Sequence, residues 1–180
     1  MVDADPDWTK IVGRVTKQAA PRSYTRVAIV AHSLGAVVSR RAILDGIECG
    51  ATWPERSRLI LFAPAHMGTR LLKDQSMLSG GLGGIVSTIL VAWKLSRPAA
   101  DDLKYGSPFL KKLWADTKRY LDEGWAEPLR AKQVLFGEHE IVVDVGRFCD
   151  DPIQQVWPNH THVSICKVEE AATFVRDNLV

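Results

Sequence analysis

Ser33 sits in the run "RVAIVAHSLGAVVSRRAI", residues 26 to 43. An apolar stretch stops at His32 and a helical pattern starts at once. A parallel strand that turns sharply into a helix puts the turn residue at the strand's C-terminal edge, where open α/β sheets hold their ligands. The start of the helix aims free backbone N–H groups and a partial positive charge at the same spot. A serine there can simply cap the helix. It can also act as a nucleophile, with an oxyanion forming beside the Leu34 N–H. A hydroxyl is a weak nucleophile unless a base takes its proton and a third group holds that base.

Candidates for both partners come later in the chain. "GEHEIVV", residues 137 to 143, offers Glu140, and Asp144 follows directly. "NHTHVSICK", residues 159 to 167, offers His160 and His162. His32, beside the serine, reads as packing or pocket lining rather than as the base. His66, in "APAHMGT", follows a second apolar run and should line a substrate pocket at the same edge. A metal alternative uses His139, Glu140, His160 and His162, since two histidines two apart on a loop can bind zinc. It leaves the serine unexplained, and no neighbouring acid completes a dinuclear pattern.

The elements that must position these residues follow from periodicity. "RVAIVA", "SRLILFA" (57 to 63) and "KQVLFG" (132 to 137) are short continuous apolar runs, as expected of strands covered on both faces. A weaker fourth strand is predicted near Ile153 to Trp157. A helix is predicted from Leu34 to Leu44, closing near Gly46. An earlier one is predicted to start at Asp5-Pro6 and run through Trp8, Ile11 and Val15. Residues 70 to 125 read as mostly helical, with a second piece capped at Ser107-Pro108 and carrying Leu110, Leu113, Trp114 and Leu121. A last helix is marked by Ile165, Val168, Ala172, Val175 and Leu179. Strands alternating with helices predict an α/β fold, a parallel sheet of three to four strands with helices on both faces.

The elbow has the pattern G-x-S-x-G with Ala31 in place of the first glycine. With "VAHSLGAVVSRRAI", "LILFAPAHMGT", "VLFGEHEIVV" and "HVSICK" in this order, the sequence resembles the α/β-hydrolase superfamily, in its lipase-like, GPI-inositol-deacylase-like branch. The resemblance spans about residues 22 to 180. It implies a Ser-His-acid triad of Ser33, His162 and Glu140, with Asp144 and His160 as second choices. It implies oxyanion stabilisation by Leu34, close packing at Gly35, and hydrolysis of carboxylic esters. Residues 70 to 125 would be a lid-like helical insertion within one domain, 1 to 180. The chemistry needs no cofactor and no metal.

Composition sets the remaining bounds. With 180 residues, one domain and a real core are expected. There are 23 basic and 21 acidic residues, a net charge of +2, which argues against a nucleic-acid partner. Cys49, Cys149 and Cys166 fit no disulfide framework or zinc spacing, and are expected as reduced, mostly buried thiols of a cytoplasmic protein. The segment 78 to 95 has apolar residues at Leu82, Ile85, Val86, Ile89, Leu90 and Trp93. That one-sided helix ordinarily covers a core. Lying on a membrane surface is the second reading, and the one that favours a lipid-like ester substrate.

Only 25 residues precede Arg26, too few for an upstream βαβ unit. The resembling hydrolases have strands there, and one of their loops donates a second oxyanion N–H. The expectation is an N-terminally incomplete hydrolase whose first strand is a bare apolar edge. Such an edge invites self-association or a partner chain. The competing expectation is an inactive remnant serving as a protein-interaction module.

Overall fold

The computed structural model describes residues 25–69 and 101–179. Their elements are β1 (Val27–His32), α1 (Leu34–Glu48), β2 (Ser57–Phe62), α2 (Pro108–Asp122), α3 (Ala126–Leu129), β3 (Ala131–His139), β4 (Gln155–Thr161) and α4 (Glu169–Leu179). The helices expected over residues 5–15 and 82–93 fall outside the described residues.

The four strands form one parallel sheet in the order β1-β2-β3-β4. Leu59 to Phe62 and Val134 to Phe136 are consecutively buried, so both faces of the two inner strands are covered. Each such side chain contributes about 1.5–3 kcal/mol by leaving water. Helix α1 packs on β1, α3 on β2, and α2 on α1 and α3. An ion pair of Arg41 with Asp116, at 2.8 Å, joins α1 to α2. Helix α4 lies against the other end of the sheet, through Gln133–Asn178 at 3.0 Å and an edge-on contact of Trp157 with Phe174. Among the described residues β1 pairs with β2 alone, and Val30 on it is 47% exposed.

A buried ion pair, not foreseen from sequence, ties helix to sheet. Arg40 in α1 is fully buried and bonds Asp151 Oδ2 at 2.6 Å and the Leu129 carbonyl. The second oxygen of Asp151 accepts the Ala131 N–H at 2.9 Å. The guanidinium also lies over the Phe148 ring. Helical spacing separates Arg40 from Arg41: Ala36, Val37, Ile43 and Leu44 lie three and four residues from Arg40, whereas Arg41 has Asp45 four residues on.

Several boundaries differ from those expected. Helix α1 runs on past Gly46 to Glu48. Strands β3 and β4 both extend beyond their apolar runs, to His139 and Thr161. Ladder hydrogen bonds continue a strand where side-chain pattern has already stopped. Helix α4 begins at Glu169 rather than at Ile165, because residues 162–168 turn back on β4, with Ile165 N–H on the Thr161 carbonyl. Helix α2 starts as expected. Pro108 is its first residue and Ser107 Oγ accepts the Leu110 N–H at 3.1 Å. Its Trp114 is 45% exposed instead of facing the core.

All three cysteines are free, but they are not mostly buried. Cys49 is exposed, and Cys149 and Cys166 are half-buried. Cys49 is the C-cap residue of α1, beyond the last turn that packs. Burial pushes the Cys149 thiol up to about 12, which keeps it protonated and unreactive.

Candidate functional site

Parallel strands bring all their C-terminal ends to one edge of the sheet. Ser33 follows β1 there, Ala63 follows β2, Glu140 follows β3 and His162 follows β4. Ser33 is held at φ +54° and ψ −122°, and its side chain does not cap α1. Ser107, by contrast, caps α2 in extended conformation. So the capping alternative does not describe Ser33. A non-glycine residue at such dihedrals costs on the order of 1–3 kcal/mol and persists only where surrounding bonds impose it. Its N–H donates to the Phe62 carbonyl at 3.0 Å, and its carbonyl accepts Ala36 N–H at 3.1 Å and Ala65 N–H at 3.2 Å. The bend aims Oγ away from the helix, and Leu34 opens α1 with an N–H that has no partner within the helix.

Gly35 does less than expected. A Cβ added there would sit 4.0 Å from the Ala31 Cβ, an ordinary contact. The close approach falls at Gly137 instead. Its Cβ would lie 2.6 Å from the His160 carbonyl carbon and closer still to the oxygen.

That contact belongs to an irregularity that builds the site. Gly137 pairs with Trp157, but the next pair is His139 with Thr161. A single β3 residue, Glu138, therefore faces Pro158, Asn159 and His160. Asn159 takes the left-handed conformation, φ +60°, and gives its N–H to Glu138 Oε2 at 3.0 Å. The bulge restores pairing at His139 and Thr161, so the residues next along both strands, Glu140 and His162, leave the sheet side by side.

These two are buried and bonded. His162 Nδ1 lies 2.8 Å from Glu140 Oε2, and His162 Nε2 lies 3.0 Å from Ser33 Oγ. A carboxylate only accepts, so Nδ1 carries the ring proton and Nε2 is free to accept the Ser33 hydroxyl proton. The other oxygen of Glu140 accepts the N–H groups of Val142 at 2.7 Å and Val143 at 3.1 Å. The carboxylate is thus oriented on three sides. Sequence spacing left Glu140 and Asp144, and His160 and His162, as rivals. His162 is the histidine that meets Ser33, and Glu140 is the acid that holds it. Asp144 gives its N–H to the Gly68 carbonyl. His160 Nδ1 faces Ser164 Oγ at 3.3 Å and its Nε2 faces Glu170. Of the four residues of the metal alternative, Glu140 and His162 are bonded to each other and His160 faces Ser164 and Glu170. Among the described residues no group of three or more His, Cys, Asp or Glu could hold a metal ion.

The two histidines read as pocket lining have more definite contacts. His32 Nε2 lies 2.7 Å from the His162 carbonyl oxygen, and the two rings are 4.7 Å apart. Burial, and then the nearby His162, lowers the affinity of His32 for a proton. His66 lies under the turn after β2, stacked on Phe148, its Nε2 accepting from Arg40 Nε at 3.3 Å. It also borders a mainly apolar groove of about 240 Å³, shared with Met67, Tyr105, Leu110, Trp114 and Phe148.

Burial, and then the Arg40 charge, holds His66 well below the ordinary histidine value of 6.5. The folded chain therefore refuses a proton that the unfolded chain accepts once the pH falls below about 6.5. Stability from this group is present above that pH and is lost on acidification, at up to about 1.4 kcal/mol per pH unit. Thermal melts at pH 7.5 and 5.5 should differ by several degrees, about 2–4 °C per kcal/mol at this chain length. His66→Gln should narrow that gap. An equal gap in the variant would assign the acid sensitivity elsewhere.

No family model matches the chain, and no curated protein matches it significantly.

Proposed function

We propose that this chain is a serine hydrolase of the α/β-hydrolase kind, cleaving carboxylic esters of hydrophobic, lipid-like acyl groups. The observation that carries the reading is the unbroken series Ser33 Oγ, His162 imidazole, Glu140 carboxylate, ending on a serine held in a strained bend. Ser33 Oγ attacks the ester carbonyl carbon while its proton passes to His162 Nε2. The tetrahedral oxyanion forms beside the Leu34 N–H at the start of α1. Its collapse breaks the carbon–oxygen bond to the alcohol, and the leaving oxygen takes the proton from His162. Water then attacks the acyl-enzyme with His162 again as base, releasing the acid and restoring Ser33. Glu140 keeps the imidazole in the required tautomer and balances its transient positive charge. The one-sided apolar pattern of residues 82 to 93 favours a greasy acyl chain, and α2 falls within the proposed lid-like insertion. The chemistry calls on no cofactor.

A fluorophosphonate probe tests this, since attack by Ser33 expels fluoride and leaves a stable adduct. The wild-type chain should be labelled and Ser33→Gly should not. The glycine relieves the positive φ, so Ser33→Gly should also melt higher, by about 2–8 °C for 1–2 kcal/mol. Equal labelling of both proteins would remove Ser33 from the chemistry. A lower melting temperature would show that the bend stores no strain.

The exposed apolar side chains of β1 favour a second reading, an interaction module that pairs with another chain through this edge. An unlabelled wild-type chain that self-associates, with dimers lost on Val30→Lys, would favour it. Among the described residues no helix is long and apolar enough to cross a membrane.

A further inference from the structure

We propose that His32 is a positioning residue that clamps His162 to the nucleophile's own strand; the inference rests on the hydrolase reading for its catalytic meaning. His162 leaves the end of β4, whereas Ser33 leaves the end of β1. These strands are the two ends of the sheet order. Three strand spacings separate them, about 14 Å at ~4.8 Å each. The segment after β4 must therefore lean back across the sheet edge for the imidazole to reach Ser33.

Two bonds hold it there from the β1 side. One is the Ser33 Oγ bond to Nε2, at 3.0 Å. That bond is consumed in each proposed turnover, when the proton moves and Oγ becomes part of an ester. The other is the His32 bond to the His162 carbonyl, at 2.7 Å. It involves only backbone on the His162 side, so it persists through every step. A carbonyl accepts only, so His32 Nε2 carries a proton and donates it. The ring–ring contact at 4.7 Å adds lateral support. His32 immediately precedes Ser33, so nucleophile and clamp move together. Glu140 fixes the imidazole from the β3 side, and His32 fixes the backbone beneath it from the β1 side.

The clamp needs a neutral side chain with a donor at its tip. His32→Gln keeps the donor, and His32→Phe keeps the ring but loses the donor. The test uses the full chain with nitrogen-15 histidine, following the His162 Nδ1–H proton held by Glu140, together with fluorophosphonate labelling rates. In His32→Phe that proton should exchange with water at least tenfold faster, and labelling should slow by about 10–100-fold, the scale of an ångström-sized misplacement. His32→Gln should restore most of both. Unchanged proton exchange in His32→Phe overturns the clamp, whatever the labelling shows. Equal loss in both variants also overturns it, since ring packing would then be the cause. If the wild type is not labelled but the Nδ1–H signal still follows the donor, the clamp stands and the hydrolase reading falls.

Discussion

Glu140→Gln should lower the turnover of a hydrophobic p-nitrophenyl ester by about 10⁴-fold, the effect typical of an amide replacing a triad acid. The reason is a conflict of donors. Glu140 now accepts from Val142 N–H and Val143 N–H on one oxygen and from His162 Nδ1 on the other. Glutamine has one accepting atom and one donating group. If its oxygen stays on the two backbone N–H groups, its amide faces Nδ1. The ring must then carry its proton on Nε2, where it can no longer accept from Ser33. If the amide flips, two buried N–H groups lose their acceptor. The first arrangement strands fewer donors, so the fold should survive with the wrong tautomer. Steady-state kinetics with a melting curve on the same sample will check this. A loss below tenfold, or a loss matched by unfolding, would remove Glu140 from its orienting role.

The second large effect is expected at Gly137, which is none of the three triad residues. An alanine there would place its Cβ 2.6 Å from the His160 carbonyl carbon, with Thr161 backbone also within 3.1 Å. These are backbone atoms of a paired strand and cannot turn aside. Strands β3 and β4 must separate where Glu140 and His162 leave them. The strain should cost about 1–3 kcal/mol. The displacement should lower labelling by about 10²-fold or more, since the three groups act only in register. Gly35→Ala is the control. Its Cβ meets only Ala31, at 4.0 Å, and alanine suits a helix better than glycine. It should melt at or above the wild-type temperature. If Gly137→Ala instead labels at the wild-type rate, the bulge does not set the site.

Part of this was readable in the chain and part was not. The apolar runs 26–31, 57–63 and 132–137 announced strands because burial on both faces demands continuous apolar sequence. The corner at Ser33 and the cap at Ser107-Pro108 were readable because local turn and cap chemistry is written in adjacent residues. What stayed hidden was non-local. The bulge over Pro158 to His160 has no apolar pattern, and Gly137 looked like the end of a strand rather than its point of closest approach. The bond from His32 to His162 joins residues 130 positions apart, so only the folded chain could reveal it.

The α/β class, the parallel strands and the residue types available at their C-terminal ends are legible in the chain alone, since these depend on periodicity and local backbone preference. Folding alone brings His162 rather than His160 to Ser33, and Glu140 rather than Asp144 to His162. Glu140 and Asp144, like His160 and His162, differ by a few positions along a loop. A slip of two residues would exchange the histidines, and one of four would exchange the acids. That register is set by contacts between β3 and β4, which no single stretch of sequence contains.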